Sequence, residues 1–252
     1  MRTHVFSTRK EMGQAAGSAV EEGINTLLNE QNELRMIFAA APSQNEVLEY
    51  LALSDQIDWS KITAFHMDEY IGLPVDAPQR FANFLQEKLF DRVPFKAVHL
   101  IEGGDNPAEE CRRYADLLTE KPIDIVCLGI GENGHIAFND PPVADFGDSQ
   151  TVKVVELDTR CRQQQVNDSC FSSLDLVPTQ AITLTIPALM GGKYLYCVVP
   201  GPTKQEAVDS TLRGPISTNC PASILRTHQN CQLYLDAESA RTEQQQEGFL
   251  KS

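Results

Sequence analysis

The segment IDIVCLGIGENGHIAFNDP (residues 123–141) decides the fold of this chain. Its first eight residues are almost all apolar, as in a strand that is buried on both faces of a parallel sheet. A glycine-rich turn follows at once and carries one histidine, two asparagines and two acids. Ligands bind beyond the carboxyl ends of the strands in such sheets. The segment therefore predicts a parallel sheet and a site at its edge.

Similar apolar runs recur along the chain and alternate with amphipathic segments. This alternation predicts an α/β fold, a Rossmann-like parallel sheet with helices on both faces. No linker, repeat or shift in composition interrupts it, so residues 1–252 are predicted to form a single domain. The predicted strands are residues 34–40, 61–67, 97–101, 123–130, 151–157, 193–199 and 231–236. The predicted helices lie near residues 8–30, 44–55, 80–90, 107–120, 179–190, 203–212 and 237–248.

The charge of the chain argues against several classes of partner. The chain holds 21 basic and 35 acidic residues, which gives a formal net charge of −14. Such a field repels nucleic acid and anionic membranes, so we expect neither as a partner. No apolar run approaches the ~20 residues that are needed to span a bilayer. A phosphate site would have to be built locally from a few cations and backbone N–H groups.

The seven cysteines are irregularly spaced and include no CxxC pair. This pattern argues against a zinc site or a redox dithiol, and we expect no bound metal. Free thiols suit a reducing compartment, and the N-terminus lacks the apolar core of a signal peptide, so a cytoplasmic location is expected. The sequence leaves the oligomeric state open, with a homo-oligomer among the alternatives.

Two adjacent acids, Asp68 and Glu69, follow the strand predicted at residues 61–67. Adjacent side chains on an extended backbone point in opposite directions. Only one of the two carboxylates can therefore face a pocket, and the other is expected to form a salt bridge or to cap a helix. Acids at the end of a strand are more often solvated than catalytic, so position alone leaves their role open.

His135 and Lys204 also occupy positions that indicate a site. His135 lies close in sequence to Asn133 and Asp140, and a neighbouring carboxylate can orient an imidazole as a proton carrier. Lys204 is predicted in the first turn of a helix, where the macrodipole disfavours a cation. An anion shared by this lysine and the free N–H groups would explain the placement, and a plain surface lysine is the alternative.

Together these stretches resemble the glucosamine-6-phosphate deaminase (isomerase) family. The segments FHMDEYIGLP (65–74) and GIGENGHIAFNDP (129–141) are close to its two most distinctive motifs. Weaker similarity continues through PGPTK (200–204) and ISTNCPASIL (216–225), so the resemblance extends in order over nearly the whole chain. It implies a single α/β domain that converts an amino-sugar phosphate to a ketose phosphate and ammonia. It also implies that no metal, nucleotide or redox cofactor is used.

The resemblance implies roles for the residues around the predicted site. His135 matches the base that opens the sugar ring, and Asn133 and Asp140 match the two positions that assist it. Asp68 matches the base that moves a proton from C2 to C1 of the open sugar. Glu69 is then the structural acid of the pair.

The resemblance places the substrate phosphate against Lys204 and the loop AAAPSQ after the first predicted strand. Ala41, Ser43 and Gln44 belong to this loop, and Ser43 is expected to supply its hydroxyl group. The family has glycines in this loop, and Ala41 cannot readily adopt a positive φ, so a different loop shape is expected. Gly134 is expected to bring the backbone close to the sugar.

The segment DTRCRQQQ (158–165) departs from the family. It places Gln165 where the deaminases have a phosphate-binding arginine, and a neutral amide cannot form a bidentate charged clamp. Arg162 lies three residues earlier and would reach the site instead if the segment is helical.

Three hypotheses about function follow, all with a small-molecule sugar phosphate as the ligand. The leading one is a deaminase that acts on glucosamine 6-phosphate or on its C4 epimer, galactosamine 6-phosphate. The second is a lactonase similar to 6-phosphogluconolactonase, which needs the histidine and the phosphate site but no base at C2. The third is a non-catalytic regulator that binds a sugar phosphate on the same scaffold.

Overall fold

A parallel sheet lies at the centre of the protein. The structure, a computed structural model, describes residues 1–104 and 106–240. Within these residues the central sheet has seven strands, and a smaller antiparallel sheet has three. The strands are β1 (Arg2–Phe6), β2 (Leu34–Phe38), β3 (Ile62–His66), β4 (Asp68–Tyr70), β5 (Ala97–His99), β6 (Ile125–Leu128), β7 (Val152–Glu156), β8 (Gln180–Leu184), β9 (Tyr194–Val199) and β10 (Cys231–Asp236).

Helices connect most of the strands. They are α1 (Arg9–Glu30), α2 (Asn45–Leu53), α3 (Phe81–Leu85), α4 (Pro107–Thr119), α5 (Thr159–Asn167), α6 (Ile186–Met190) and α7 (Gln205–Arg213). Side-chain oxygens of Thr8, Asn106 and Asp158 cap the first turns of α1, α4 and α5, as expected for N-cap residues. In the described part of the chain, no helix combines the length and the apolar character needed to cross a membrane.

The strand order of the central sheet is β1–β10–β9–β6–β2–β3–β5, and every neighbouring pair is parallel. Without β1, this is the order of a doubly wound Rossmann sheet. The winding direction reverses between the neighbouring strands β2 and β6. The loops that leave these two strands therefore diverge and open a crevice at their carboxyl ends.

The two faces of the sheet are covered by different helices. Leu34, Met36 and Phe38 of β2 pack in one hydrophobic cluster with α1 and α2. Ile37 and Ala39 point the other way and pack in a second cluster with α4 and α7. This alternation is the period-2 pattern of a strand that is buried on both faces. The predicted α/β sheet with helices on both faces is confirmed.

Two predicted elements differ from the structure. Residues 179–190, predicted as one helix, form strand β8 followed by the short helix α6. β8 pairs antiparallel with β4 on one side and with β7 on the other. The strand predicted at residues 151–157 exists as β7, but it belongs to this small sheet rather than to the parallel one. In both cases, pairing with strands that are distant in sequence determines the sheet to which the segment belongs.

The chain termini also differ from expectation. Strand β1 was not predicted, because RTHVF lacks a continuous apolar run. It lies at the edge of the central sheet, beside β10, and all five of its residues are partly or fully exposed. Of the helix predicted near residues 237–248, residues 237–240 form a turn and the rest lies outside the described residues.

Candidate active site

A cleft opens at the carboxyl ends of β2, β6 and β9. Its walls come from the loop after β2 (39–44), the glycine-rich segment after β6 (129–138) and the loop after β9 (200–204). Residues of α5 and the start of α1 complete the lining. The cleft therefore lies at the crevice that the reversal of winding between β2 and β6 creates.

Asp68 faces this cleft from β4. Its side chain is buried, with 7% of the residue surface exposed. Its carboxylate makes no hydrogen bond with any described residue. Burial raises the pKa of Asp68 well above its usual range, and the nearby charge of Glu69 raises it further. An unpartnered buried carboxylate is costly for folding, which indicates a functional role.

Glu69 points away from the cleft into a fully buried pocket. Its carboxylate accepts hydrogen bonds from the backbone N–H groups of Tyr70, Phe81 and Ala82, the last two in the first turn of α3. It also lies 3.5 Å from Nε of Arg80. Burial raises the pKa of Glu69, and these bonds and the charge of Arg80 oppose that rise. Glu69 is therefore the structural acid that fixes β4 against α3.

The side chain of His66 fixes the backbone of Asp68 by a hydrogen bond. Its Nδ1 lies 2.9 Å from the carbonyl oxygen of Asp68, and its Nε2 lies 2.8 Å from the backbone N of Ile101. Nδ1 therefore carries the proton and donates it to Asp68, while Nε2 accepts from Ile101. Burial lowers the pKa of His66 to about 3, so this histidine is neutral at physiological pH.

His135 is oriented by two oxygen atoms. Its Nδ1 lies 2.7 Å from Oδ1 of Asn133 and 3.0 Å from Oδ1 of Asp140. Asn133 donates its Nδ2 to the same Asp140 oxygen at 2.9 Å. Nδ1 faces acceptors only and therefore carries the proton, which leaves Nε2 of the neutral ring as a base. The ring lines the cleft.

Asp140 holds this arrangement in its ionised form. Burial on its own would raise the pKa of Asp140. The bonds and charge from His135, the amide of Asn133 and the backbone N–H of Asp158 together lower that pKa below its usual range. A carboxylate that stays ionised beside Nδ1 stabilises an imidazolium whenever Nε2 takes up a proton.

Backbone geometry explains the glycines of the segment. A Cβ atom on Gly131 would lie about 2.0 Å from the ring of His135, so only glycine lets the ring lie against this turn. Gly134 has a φ of +82°, and its carbonyl accepts the N–H of Ala222. Ala137 has a φ of +47°, a costly conformation for a residue with a Cβ atom, in the wall of the cleft.

Five of the predicted phosphate-binding residues line the same cleft. Ala41, Ser43, Gln44, Gln165 and Lys204 are all among the lining residues. Lys204 is only 6% exposed, and its Nζ makes no hydrogen bond or salt bridge with a described residue. Burial lowers the pKa of Lys204, and nearby carboxylates oppose this shift. A buried ammonium group without a partner among the described residues is a candidate binding group for an anion.

The loop after β2 reaches the cleft without glycine. Ala41 has an extended backbone, with a φ of −154°, and a 3₁₀ turn from Pro42 to Gln44 follows. The loop therefore uses no positive φ at Ala41, in line with the expected difference in shape. Gln44 Nε2 donates to Oγ of Ser43 at 3.1 Å, which links the two polar side chains of the turn.

Two predicted binding residues do not line the cleft. Arg162 lies on α5, but its Nη2 donates to the carbonyl oxygens of Leu174 and Val177, both at 2.8 Å. Its guanidinium is directed at that loop, so the expectation that it replaces a phosphate-binding arginine is wrong. Gly134 packs behind the cleft, where a Cβ atom would lie 2.7 Å from Sγ of Cys220. It shapes the turn rather than the cleft surface.

Arg9 and Asp168, which belong to none of the predicted site motifs, also line the cleft. Arg9 is the first residue of α1 and carries a charge that the helix dipole disfavours there. The same signal drew attention to Lys204 and would have found Arg9. Asp168 follows α5 directly, and its charge acts on Lys204.

One group of side chains in the described residues has the composition of a metal site. Donor atoms of His135, Asp140 and Cys161 lie within 4.8 Å of one another. Burial and the charge of Asp140 raise the pKa of the Cys161 thiol well above its usual range. A protonated thiol is a poor metal ligand, and His135 and Asp140 already bond to each other. The group suits proton handling better than metal binding.

The fold and the cleft together define the class of this protein. The chain is a doubly wound α/β protein in which a carboxylate, an oriented histidine and a buried lysine face one cleft. The profile of the family described as glucosamine-6-phosphate isomerases/6-phosphogluconolactonase matches residues 7–234. The chain belongs to this family.

Similar proteins and structures agree with that assignment. A glucosamine-6-phosphate deaminase from Listeria welshimeri is 36% identical over 222 residues, which cover 88% of this chain and 91% of the relative. A deaminase of the same name from Bacillus cereus is 35% identical over 241 residues, 95% of this chain and 88% of the relative.

The fold comparison includes both branches of the family. A solved monomeric glucosamine-6-phosphate deaminase has a TM-score of 0.85 at 29% identity, with 95% of this chain and 98% of that chain covered. A 6-phosphogluconolactonase from Thermotoga maritima has a TM-score of 0.76 at 20% identity, with coverages of 93% and 99%. The lactonase likeness shows the shared fold alone.

Proposed function

We propose that this protein is an amino-sugar phosphate deaminase that converts glucosamine 6-phosphate, or its C4 epimer, to the ketose 6-phosphate and ammonia. The observation that carries the proposal is the unpartnered carboxylate of Asp68. It faces the same cleft as His135 and Lys204. Its raised pKa suits a base that has to take up a proton and return it.

Ring opening is the first step, and His135 performs it. Nε2 takes the proton of the anomeric hydroxyl group, and a proton is returned to the ring oxygen as the C1–O5 bond breaks. Asp140 stabilises the imidazolium that exists between the two transfers, and Asn133 holds the ring in the same orientation. The product is an open-chain aldehyde with its amino group on C2.

Asp68 performs the isomerisation. Its carboxylate removes the proton from C2, the electron pair forms a C1–C2 double bond, and the aldehyde oxygen takes up a proton to give an enolamine. Asp68 then delivers its proton to C1, and the nitrogen lone pair forms an iminium group at C2. Water adds to that carbon and ammonia leaves, which yields the ketone at C2. No oxidant or reductant is required, since C1 is reduced while C2 is oxidised.

Lys204 binds the phosphate in this proposal. The turn that holds Ser43 and Gln44 lies on the same cleft and offers the hydroxyl group of Ser43, whose oxygen accepts from Gln44 Nε2, as a donor. Gln165 adds a neutral amide whose side chain makes no hydrogen bond with the described residues. Anchoring the phosphate binds the sugar in the same cleft as Asp68 and His135.

Relatives named as deaminases at 35–36% identity over most of the chain support the proposal. A lactonase needs no base at C2 and gives no reason to bury Asp68 without a partner. A non-catalytic regulator would be more stable without that carboxylate. Epimers at C4 differ only in the direction of one hydroxyl group, so both are candidate substrates.

The test is ammonia release by the purified protein, with glucosamine 6-phosphate, galactosamine 6-phosphate and unphosphorylated glucosamine offered in parallel. Asp68→Asn and His135→Gln are expected to reduce the rate by at least ~100-fold, the range of general acid–base catalysis. Asp76→Asn, an exposed acid outside the cleft, is the matched control and is expected to retain full activity.

Two results would contradict the proposal. The first is no ammonia from any of the three sugars by a folded protein. The second is hydrolysis of 6-phosphogluconolactone at a rate that survives Asp68→Asn, which would identify the lactonase alternative. Binding of a sugar phosphate without turnover of either kind would instead support the regulator.

A further inference from the structure

Arg9 is a cation in the cleft to which the proposed reaction gives no role. It begins α1 and follows the edge strand β1, far in sequence from the motifs of the site. Its side chain reaches the loop after β2, where Nη2 donates to the carbonyl oxygen of Pro42. Pro42 begins the turn that carries Ser43 and Gln44. Arg9 therefore lies beside the loop that the proposed function assigns to the phosphate.

Without Arg9, the cleft has too little positive charge to balance a phosphate group. A phosphate monoester carries close to two negative charges at neutral pH. In the described residues the lining contains the cations Lys204 and Arg9 and the carboxylates Asp68 and Asp168, besides His135. The charge of Asp168 already acts on Lys204, and burial opposes the ionised form of that lysine. A second cation has to complete the balance.

The guanidinium of Arg9 is held in place for such a role. Its Nε donates to Oε1 of Glu46 at 2.7 Å, from the side of α2. α1 and α2 approach closely here. A Cβ atom on Gly13 of α1 would lie only 2.2 Å from Cβ of Glu46 on α2. With Nε and Nη2 engaged, Nη1 makes no hydrogen bond to a described residue. A planar guanidinium fixed on two sides and open on a third is suited to an oxyanion.

We propose that Arg9 binds the substrate phosphate together with Lys204, an inference that rests on the proposed function. The two cations reach the cleft from the first turn of α1 and from the turn that precedes α7. Arg9 supplies the delocalised, always charged group, while Lys204 supplies a buried point charge. Glu46 neutralises the charge of Arg9 when the site is empty. When phosphate binds, the carboxylate of Glu46 competes with it for the guanidinium of Arg9.

The test compares Arg9→Gln, Arg9→Lys and Glu46→Gln by two measurements. The first is KM and kcat for ammonia release from the sugar phosphate, and the second is the calorimetric Kd of inorganic phosphate. Arg9→Gln is expected to raise KM and the phosphate Kd about tenfold or more with kcat nearly unchanged, since binding rather than chemistry is lost. Arg9→Lys is expected to lie between Arg9→Gln and the wild type.

Glu46→Gln separates binding from a structural role. Both variants break the same salt bridge, but only Arg9→Gln removes the cation. If Arg9 binds phosphate, Glu46→Gln leaves KM and the phosphate Kd unchanged or lower. If the pair only fixes α1 against α2, both variants raise the two constants and lower the Tm equally, which would overturn the inference.

The remaining outcomes distinguish this inference from the proposed function. Turnover by the wild type with unchanged constants in Arg9→Gln would overturn the role of Arg9 alone. Phosphate binding without turnover would overturn the deaminase proposal, and the Kd of Arg9→Gln would still decide the role of Arg9. A wild-type protein that neither turns over a sugar phosphate nor binds inorganic phosphate would overturn both.

Discussion

Asp68 and Glu69 are consecutive residues of β4, yet one carboxylate faces the cleft and the other is fully buried against α3. The difference follows from the alternation of side chains along a strand. Asp68 has no hydrogen-bond partner among the described residues, whereas Glu69 accepts three backbone N–H groups. Of these two adjacent carboxylates, Asp68 is therefore available for reaction, and Glu69 stabilises the fold.

Asp68→Asn is expected to abolish turnover and to stabilise the fold. Because the pKa of Asp68 is raised in the folded state, the folded protein binds a proton more readily than the unfolded chain. Stability due to this group therefore falls as pH rises through that pKa. Removing the charge should raise the Tm by about 3 °C or more at pH 8, and by less as the pH is lowered towards 4.

Calorimetric scans of the wild type and Asp68→Asn at several pH values measure this effect. A variant that loses activity but is no more stable than the wild type at pH 8 would show that the carboxylate is better solvated than its burial indicates. The same series gives the rate profile, in which the wild type should lose activity as the pH falls through the raised pKa of Asp68.

Glu69→Ala is expected to have the opposite effect on stability. It would remove the buried carboxylate that pairs with Arg80 and accepts the first N–H groups of α3. Breaking such a buried pair costs about 3–5 kcal/mol of the free energy of unfolding. Urea unfolding provides the measurement, and Glu102→Ala, at an exposed position, is the control. Equal unfolding midpoints for the two variants would contradict the role assigned to Glu69.

His66 predicts how the protein responds to acid. The pKa of this histidine is about 3 in the folded state, below its usual value, so the unfolded chain binds the proton more readily. Its contribution to stability is therefore present above pH ~6.5 and is lost as the pH falls towards 3. His66→Asn can keep a donor and an acceptor but cannot titrate. Its urea midpoint should decline less steeply between pH 7 and pH 4.5, and parallel declines would refute this account.

The central sheet could be predicted from the sequence because its strands are defined locally. The apolar runs at 34–40, 123–130 and 193–199 correspond to β2, β6 and β9, which are buried on both faces. The edge strand β1 has no such run and forms by pairing with β10, more than 200 residues later. Strand β8 likewise depends on its distant partners β4 and β7.

The candidate site was predictable to the extent that its residues lie in compact motifs. Asp68, His135 and Lys204 lie within seven residues of the ends of β3, β6 and β9, and the cleft at this edge of the sheet brings them together. The prediction that Arg162 reaches the cleft was wrong because two carbonyl groups on a later loop accept hydrogen bonds from its guanidinium. Arg9 carries the same signal as Lys204, a cation at the start of a helix, but it belongs to no motif of the site, and the packing of α1 on α2 directs it to the cleft.

The interaction between Asp140 and His135 gives a final prediction. Asp140→Asn preserves the shape of the side chain but removes the charge beside Nδ1, so the imidazolium that forms during ring opening loses its counter-ion. We expect kcat to fall by about 100-fold while KM changes little, because the interaction is realised during the reaction. Asp145→Asn, an exposed acid five residues away, is the control and should behave as the wild type. If Asp140→Asn instead raised KM at constant kcat, Asp140 would act in substrate binding rather than in proton transfer.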